Sequence, residues 1–232
     1  MKLPPLSNRL QACCGFIHQG DRVADIGCDH GYLGIHLLLN GIASAVIAAD
    51  VNEGPLNSAV RNAAVYGVSD RINFHLSDGV KNIPKDFDTL VCAGMGADTM
   101  ISILEAAPWL KSGQYRLILQ CQSKRPELRK YLYAQGYMIV RETLAEDGKF
   151  IYPITEVVYA PSEPLSPAGY HITPALLQSG SKLLPAFYNR VRDGLQITVN
   201  GLARTGGEKY EEYRSVLKDL TEMEDQIYGN RS

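Results

Sequence analysis

The sequence predicts an α/β protein: a doubly wound parallel sheet that closes in an antiparallel hairpin, followed by a helical hairpin. Three observations carry this expectation. Short apolar strand-like runs alternate with helix-like runs from Val23 to Gln135, the pattern of a parallel sheet covered on both faces. Two more strand-like runs, over 137–143 and 150–159, follow with no helix between them. Beyond a proline-marked stretch, apolar residues recur three or four apart in two further segments.

Residues 7–16 read as a short helix with Ser7 at its N-cap and Leu10, Cys13 and Cys14 on its apolar side. Arg9 stands in its first turn, either as a surface charge or as a partner for a ligand carboxylate. The first strand, 23–25, enters a glycine turn, Gly27-Cys28-Asp29-His30-Gly31, and a helix over 33–39 follows. Strand two, 45–50, is a continuous apolar run ending in Asp50, and Gly54-Pro55 opens the next helix, 57–66. Strand three, 72–76, leads into Ser77-Asp78-Gly79. Strand four, 89–93, leads into a loop Gly94-Met95-Gly96 and a helix through Met100, Ile103 and Leu104. Strand five, 115–120, precedes a helix over 126–135 with proline in its first turn and Gly136 just past its end. The hairpin strands are joined by residues 144–149. Pro161, Pro164 and Pro167 then mark a linker. Leu184, Tyr188, Val191, Leu195, Val199 and Leu202 share one helical face, and Tyr213, Leu217, Leu220, Met223 and Ile227 another, with Thr205-Gly206-Gly207 between. Two helices sharing a coiled-coil-like seam, or two ordinary surface helices, both satisfy that spacing. The expected division is residues 1–160, a linker over 161–167 and a helical unit over 168–232.

The chain has 232 residues, 45% of them hydrophobic, enough for one α/β domain and an appendage. No apolar run approaches the ~20 residues of a membrane span. The opening Met1-Lys2-Leu3-Pro4-Pro5 lacks the apolar core of a signal peptide, so a cytoplasmic protein without a membrane partner is expected. Cys13, Cys14, Cys28, Cys92 and Cys121 show no C-x-x-C spacing and no histidine at ligand distance, which argues for reduced, packing thiols and against a metal. The formal net charge of −2 gives no global basic signature; a nucleic-acid partner would need a local basic face. A helical seam closes within one chain or between two, and a monomer is the simpler expectation.

In an open α/β sheet, ligands bind outside the carboxyl ends of the strands. Three acids fall there in succession: Asp25, Asp50 and Asp78. One such acid is weak evidence, because Asp also favours turns and N-caps; three build a stronger case. Gly27 and Gly31 allow close backbone approach. A turn made for pyrophosphate is anion-friendly, whereas Asp25 and Asp29 make this one acidic. That favours a ligand with hydroxyls or positive charge, and S-adenosylmethionine has both. Asp50 would accept from the ribose hydroxyls, Asp78 from the adenine amino group, and Asp25 from the amino group of the methionine moiety. A dinucleotide would require G-x-G-x-x-G, and the loop reads Gly27-x-x-x-Gly31. The terminal antiparallel hairpin agrees, since it marks the class I, S-adenosylmethionine-dependent methyltransferase variant of the Rossmann-like plan. The cofactor-binding candidates are Arg9, Asp25, Gly27, Cys28 and Gly31 from the first unit, Asp50, Val51, Asp78 and Gly79 from the next two, and Gly94 and Met95 after strand four.

These residues also carry a family likeness. Leu6-Ser7-Asn8-Arg9-Leu10, the loop from Ala24 to Tyr32, and Asp50-Val51-Asn52-Glu53-Gly54-Pro55-Leu56 resemble the L-S-x-R-L, A-D-I-G-T-D-H-A-Y and D-x-x-x-G-P-L segments of one family. Ser77-Asp78-Gly79, Ala93-Gly94-Met95-Gly96 and Glu146-Asp147-Gly148-Lys149 match it too. On these segments the chain resembles the bacterial tRNA (adenine-N1)-methyltransferases that modify adenosine 22 in the D-arm region. Cys28 stands for the family's Thr and Gly31 for its Ala, both small and tolerable exchanges; Ala97 stands where a further Gly is usual, and Gln120-Cys121-Gln122 replaces a Q-P-N/M-like segment on the acceptor side. The resemblance implies S-adenosylmethionine as cofactor, tRNA as partner, and a methyltransferase domain followed by a helical one.

Adenine N1 lies on the Watson–Crick edge, so the target base must be exposed or flipped out. N1 carries a lone pair and needs no general base. The methylated base is cationic, so a nearby carboxylate would lower the barrier. Asp29 is the first catalytic candidate and His30 the second, although His30 could equally satisfy a backbone group. On the acceptor side stand Gly96 and Gln120. Two basic clusters would meet phosphates: Lys124, Arg125, Arg129 and Lys130, and, on the first C-terminal helix, Lys182, Arg190, Arg192 and Arg204 against a single Asp193. The second helix is acid-rich, with Glu208, Glu211, Glu212, Asp219, Glu222, Glu224 and Asp225, so the opposite signs could instead pair the two helices. Methylation of another RNA or of a small molecule, and a non-catalytic scaffold that binds S-adenosylmethionine, are the alternatives. Deletion of the residues after Pro167 is expected to abolish tRNA methylation while leaving cofactor binding intact.

Overall fold

The computed structural model describes residues 4–229. The signal-peptide reading of Met1, Lys2 and Leu3 and the last three residues of the expected helical unit lie outside them. The chain begins with α1 (Asn8–Cys14) and continues through β1 (Asp21–Ile26), α2 (Tyr32–Leu39), β2 (Ala43–Asp50), α3 (Glu53–Tyr66) and β3 (Ile72–Leu76). Then come β4 (Thr89–Met95), α4 (Ala97–Glu105), β5 (Arg116–Cys121), α5 (Arg125–Ala134) and the hairpin β6 (Tyr137–Asp147) and β7 (Phe150–Tyr159). A short α6 (Pro174–Leu177), a long α7 (Leu184–Leu202), α8 (Glu208–Thr221) and α9 (Glu224–Tyr228) complete it.

The strands form one sheet in the order β3-β2-β1-β4-β5-β7-β6. β1 to β5 are mutually parallel, and β7 runs antiparallel between β5 and β6. The two-residue period of a strand sends neighbouring side chains to opposite faces. Leu90, Cys92, Leu117 and Leu119 therefore pack with Met100, Leu104, Leu128 and Leu132 on one face. Val91 and Ile118, between them in sequence, pack with Cys13, Leu33, Ile35 and Ala59 on the other. This is why the central strands read as continuous apolar runs rather than alternating ones.

Two elements run further than their sequences predict. β4 continues through Gly94 and Met95, with a register irregularity against β5 between Ala93 and Met95. Gly94 has a φ of 84° there, and a bulge of this kind bends the strand end without ending it. β6 also extends through most of the expected connection while β7 starts where predicted, so only Gly148 and Lys149 lie between them. Ser7 occupies the N-cap position of α1 as expected, but makes no capping hydrogen bond.

Residues 160–166 carry no helix or strand, in keeping with a linker. The helices beyond it share a core with the hairpin: Leu144 and Ile151 pack with Ala168, Ile172, Leu176, Phe187, Leu195 and Leu220. Beside this cluster lies a buried polar network. Arg129 pairs with Glu142 and donates to the carbonyls of Tyr170 (3.0 Å) and His171 (2.8 Å). Glu142 also accepts from Thr155 (2.9 Å) and from Thr173. Arg129 is only 4% exposed, so its predicted place on a phosphate-binding face is corrected: it is an interior charge that ties α5 and β6 to the chain after the linker.

Candidate functional site

The glycine turn after β1 is fastened to β2. Gly27 and Cys28 both donate to the Ala49 carbonyl, at 2.8 and 2.9 Å, and Asp29 N–H donates to the Asp50 carboxylate at 3.0 Å. The other Asp50 oxygen accepts from Asn52 N–H at 2.9 Å. Asp29 has a φ of 50°, a left-handed conformation that Asp tolerates better than most side chains. β1 lies between β2 and β4, so the two crossovers leave it in opposite directions. That is the switch point at which such sheets hold ligands.

Two hollows open there, and Gly27 borders both. The larger, about 520 Å³, is lined by Gly27, Asp50, Val51, Asp78, Gly79 and Met95, all predicted. It also uses Asn52, Ser77, Lys81, Asp98, Thr99 and Ile103, which the sequence reading did not single out. Lys81 was legible as a cation three residues after Asp78, and the two pair at 2.5 Å. The smaller recess, about 100 Å³, is lined by Arg9, Asp25, Gly27, Cys28, Asp29, His30 and Tyr32. A Cβ on Gly27 would run into the Met95 methyl, and its φ of 73° favours glycine as well.

Asp25 is 4% exposed and its Oδ2 has no hydrogen-bond partner in the described residues. Burial, then the neighbouring Asp50 and Asp29 carboxylates, push its pKa up to about 7. A buried carboxylate in this state lacks a cation or a donor. Arg9 reaches the same recess and is held by Asp147 at 3.3 Å and by the Gln120 amide oxygen at 3.1 Å. Asp29 and His30 stand exposed at the mouth, 3.6 Å apart. Cys28 and Cys92 are buried among apolar side chains, and burial, then Asp25, raises both thiols above their ordinary range. They pack, as expected.

Three predicted residues have other surroundings than expected. Gly31 lines neither hollow; at a φ of 70° it opens α2, and a Cβ there would lie 2.9 Å from the Ala59 Cβ. Alanine at this position, tolerable by size alone, is not tolerable against Ala59. Gln120 is wholly buried instead of facing an acceptor, and its oxygen accepts from Gly94 N–H at 3.0 Å as well as from Arg9. Gly94 faces Arg9, whose guanidinium nitrogen would lie 3.2 Å from a Cβ.

The basic clusters divide. Lys124 pairs with Asp98 at 2.6 Å, and Lys130 approaches Glu212 of α8 at 3.9 Å. Arg192 pairs with Asp193 (2.9 Å) and with Glu224 of α9 (3.3 Å), so here opposite signs do join the C-terminal helices. Lys182 and Arg204 flank α7 rather than lie on it. Arg125 and Arg190 line a third hollow, about 510 Å³, with Gly96. No group of three His, Cys, Asp or Glu side chains is arranged to hold a metal among the described residues, and no described helix is long and apolar enough to cross a membrane.

A 3-2-1-4-5-7-6 sheet with acidic hollows at its switch point has the build of the Rossmann-like class. The chain belongs to the methyltransferase-domain family, whose model matches residues 6–155. It is 39% identical over 146 residues to a tRNA (adenine(22)-N(1))-methyltransferase of Bacillus subtilis, 62% of this chain and 61% of that one. The match spans about six-tenths of the length of the first curated relatives. A solved Streptococcus pneumoniae structure, described as a putative tRNA (m1A22) methyltransferase, superposes with a TM-score of 0.82 at 27% identity, over 97% of this chain and 100% of that one. The same Streptococcus pneumoniae protein solved with S-adenosyl-L-methionine gives 0.79 at 28% identity, over 94% and 99%.

Proposed function

We propose that this protein transfers the methyl group of S-adenosylmethionine to N1 of adenosine 22 in tRNA, as a cytoplasmic monomer. The observation that carries the reading is Asp25: a buried carboxylate with an unpartnered oxygen, in a recess that Gly27 joins to the cavity bearing Asp50 and Asp78. An ammonium group would give Asp25 the partner it lacks, and the amino group of the methionine moiety is one. Asp50 spends one lone pair of each oxygen on the turn, and its remaining acceptor sites suit two ribose hydroxyls. Val51, 61% exposed beside it, offers apolar surface to adenine, and Asp78 can exchange its Lys81 partner for the adenine amino group. The Bacillus subtilis relative named as a tRNA methyltransferase and the superposition over nearly the whole chain on a structure described as a putative one support tRNA above a small molecule.

When bound, S-adenosylmethionine supplies an electrophilic methyl on a positively charged sulfur. The chain's own part is orientation and charge. The glycine turn and Met95 fix where the base approaches, which supplies the alignment such a displacement needs. Asp29, and His30 after it, face the mouth where positive charge grows on the base, and a carboxylate there stabilises it. Labelled S-adenosylmethionine incubated with unmodified bacterial tRNA is expected to label N1 of adenosine 22. Asp29→Ala is expected to lower kcat about ten- to a hundredfold with S-adenosylmethionine affinity within twofold. A parallel loss of both would move Asp29 to binding alone. Binding of S-adenosylmethionine with no label in tRNA would overturn the assignment.

A further inference from the structure

The third hollow is not used by the reaction just described. Met95 lines the cofactor-side cavity, and the next residue, Gly96, lines this one. One loop therefore separates the two. The far wall is the tip of the β6–β7 hairpin, with Phe150 and Tyr152, and the floor is α7, with Phe187 and Arg190. At about 510 Å³ it falls within the ~300–1,000 Å³ of clefts that hold small ligands.

Its chemistry is one-sided. Phe150 is 51% exposed, although it stands on a strand next to a core residue. Its ring lies 5.9 Å from that of Tyr152, and Lys149 Nζ lies 5.3 Å from its centre. Arg190 is steadied by a 2.8 Å hydrogen bond to the Lys149 carbonyl. The Arg125 guanidinium, half-buried, rests 5.2 Å above the Phe187 ring, and among the described residues it forms no ion pair with a carboxylate. No acidic side chain lines the cleft among the described residues. Aromatic faces beside unspent guanidinium groups are how proteins hold unstacked nucleotides, with bases on rings and phosphates on cations.

We infer that this cleft seats an unstacked nucleotide of the substrate RNA beside the methyl-transfer point, its base on Phe150 and Tyr152 and its phosphate between Arg125 and Arg190. The inference rests on the tRNA reading and adds to it the place where the strand is gripped. A peptide or a second protein would have to bring carboxylates of its own to the two guanidinium groups, whereas a nucleotide brings a stacking ring and an anion in one unit.

The test uses the full chain, unmodified tRNA, and Phe150→Leu beside Phe150→Tyr. Leucine keeps apolar area and removes the π-face; tyrosine keeps it. Phe150→Leu is expected to raise KM for tRNA about tenfold or more, with kcat changed less than threefold and S-adenosylmethionine affinity unchanged, and Phe150→Tyr to restore it. Arg190→Gln is expected to reduce the slope of log affinity against log salt by about one phosphate contact. A wild type that methylates tRNA while Phe150→Leu matches it, or while the leucine and tyrosine variants are equal, overturns the cleft assignment alone. A wild type that binds S-adenosylmethionine but not tRNA overturns the tRNA reading and the cleft's occupant with it.

Discussion

Asp21 and Asp25 stand four residues apart on β1, and only the second carries a buried oxygen without a partner among the described residues. Asp21, at the start of the strand, accepts from His18 N–H (3.0 Å), Thr89 (2.8 Å) and Arg116 (2.6 Å). Asp25, at the ligand end, has an orphaned oxygen and a pKa pushed up to about 7 by burial first and then by Asp50 and Asp29. The first acid is structural and the second keeps an unpartnered oxygen at the ligand end of the strand, a difference that no sequence pattern displays. It has a pH signature. Below about pH 7 Asp25 is mostly neutral and gives an ammonium ligand no counter-charge, so S-adenosylmethionine affinity is expected to rise from pH 5.5 to about 7.5 and to decline above it, where an α-amino group loses its proton near ~7.7–8.0. In the free protein the sign is opposite. The folded state keeps the proton up to about pH 7 while the unfolded chain loses it near ~3.9, so the folded state binds more protons over that window and stability falls as pH rises through it. Asp25→Asn is expected to flatten both profiles and to weaken S-adenosylmethionine about ten- to a hundredfold, the worth of a charge-assisted hydrogen bond. Calorimetric titration and thermal melts at pH 5, 6, 7 and 8 measure both. An unchanged affinity profile in Asp25→Asn would show that the recess binds no cation.

At the scale of elements, the sequence was legible where one physical rule decided the outcome. β3 is found where apolar Ile72, Phe74 and Leu76 alternate with Asn73 and His75, and α7 and α8 lie where apolar spacing of three and four puts them, with the Gly206-Gly207 break between. It was illegible where two rules competed. Gly94 reads as a loop residue, yet it is a bulge inside β4, because pairing with β5 outweighs the glycine. Arg129 reads as surface charge, yet it sits next to Leu128 on the inward side of α5, where Glu142 waits on β6; helical spacing places a residue near a face but not the partner opposite it. Arg9 is a third case, since its two candidate roles meet in one geometry. It ties α1 to the hairpin through Asp147, beside a 2.8 Å bond from Asn8 to the Glu146 carbonyl. It also borders the recess beside Asp25. Asp147→Asn separates the roles. If Arg9 serves only as a strap, Arg9→Gln and Asp147→Asn are expected to cost similar stability, about 1–2 kcal/mol by a double-mutant cycle, with S-adenosylmethionine affinity intact. If Arg9 also meets the methionine carboxylate, Arg9→Gln alone is expected to weaken the cofactor at least tenfold. Equal cofactor affinity in the two variants would assign Arg9 to the strap.

At the scale of the whole molecule, the linker divides the chain in sequence but not in packing. Removal of everything after Pro167 would strip Ile172, Leu176 and Phe187 from Leu144 and Ile151. It would also take the Tyr170 and His171 carbonyls from Arg129 and the Thr173 hydroxyl from Glu142. The expectation that the arm is removable at no cost to cofactor binding therefore needs revision. Arg129 and Glu142 stay paired in that fragment but lose three hydrogen bonds to charged groups, each worth about 1.5–3 kcal/mol. At roughly 2–4 °C per kcal/mol for a chain of this size, the 1–167 fragment is expected to melt about 10 °C or more below the full chain and to bind S-adenosylmethionine only below its own transition. Glu142→Gln in the full chain isolates the polar part of that loss, because it leaves the apolar contacts in place and the Arg129 charge uncompensated. It is expected to lower the melting temperature by about 6–20 °C, and replacing both members, Glu142→Leu with Arg129→Met, to recover part of it by removing the uncompensated charge. Recovery in the double variant would mean that the network fixes how the helices meet the sheet rather than how strongly. A 1–167 fragment that melts with the full chain would show the opposite, that the sheet stands alone and the helices only rest upon it.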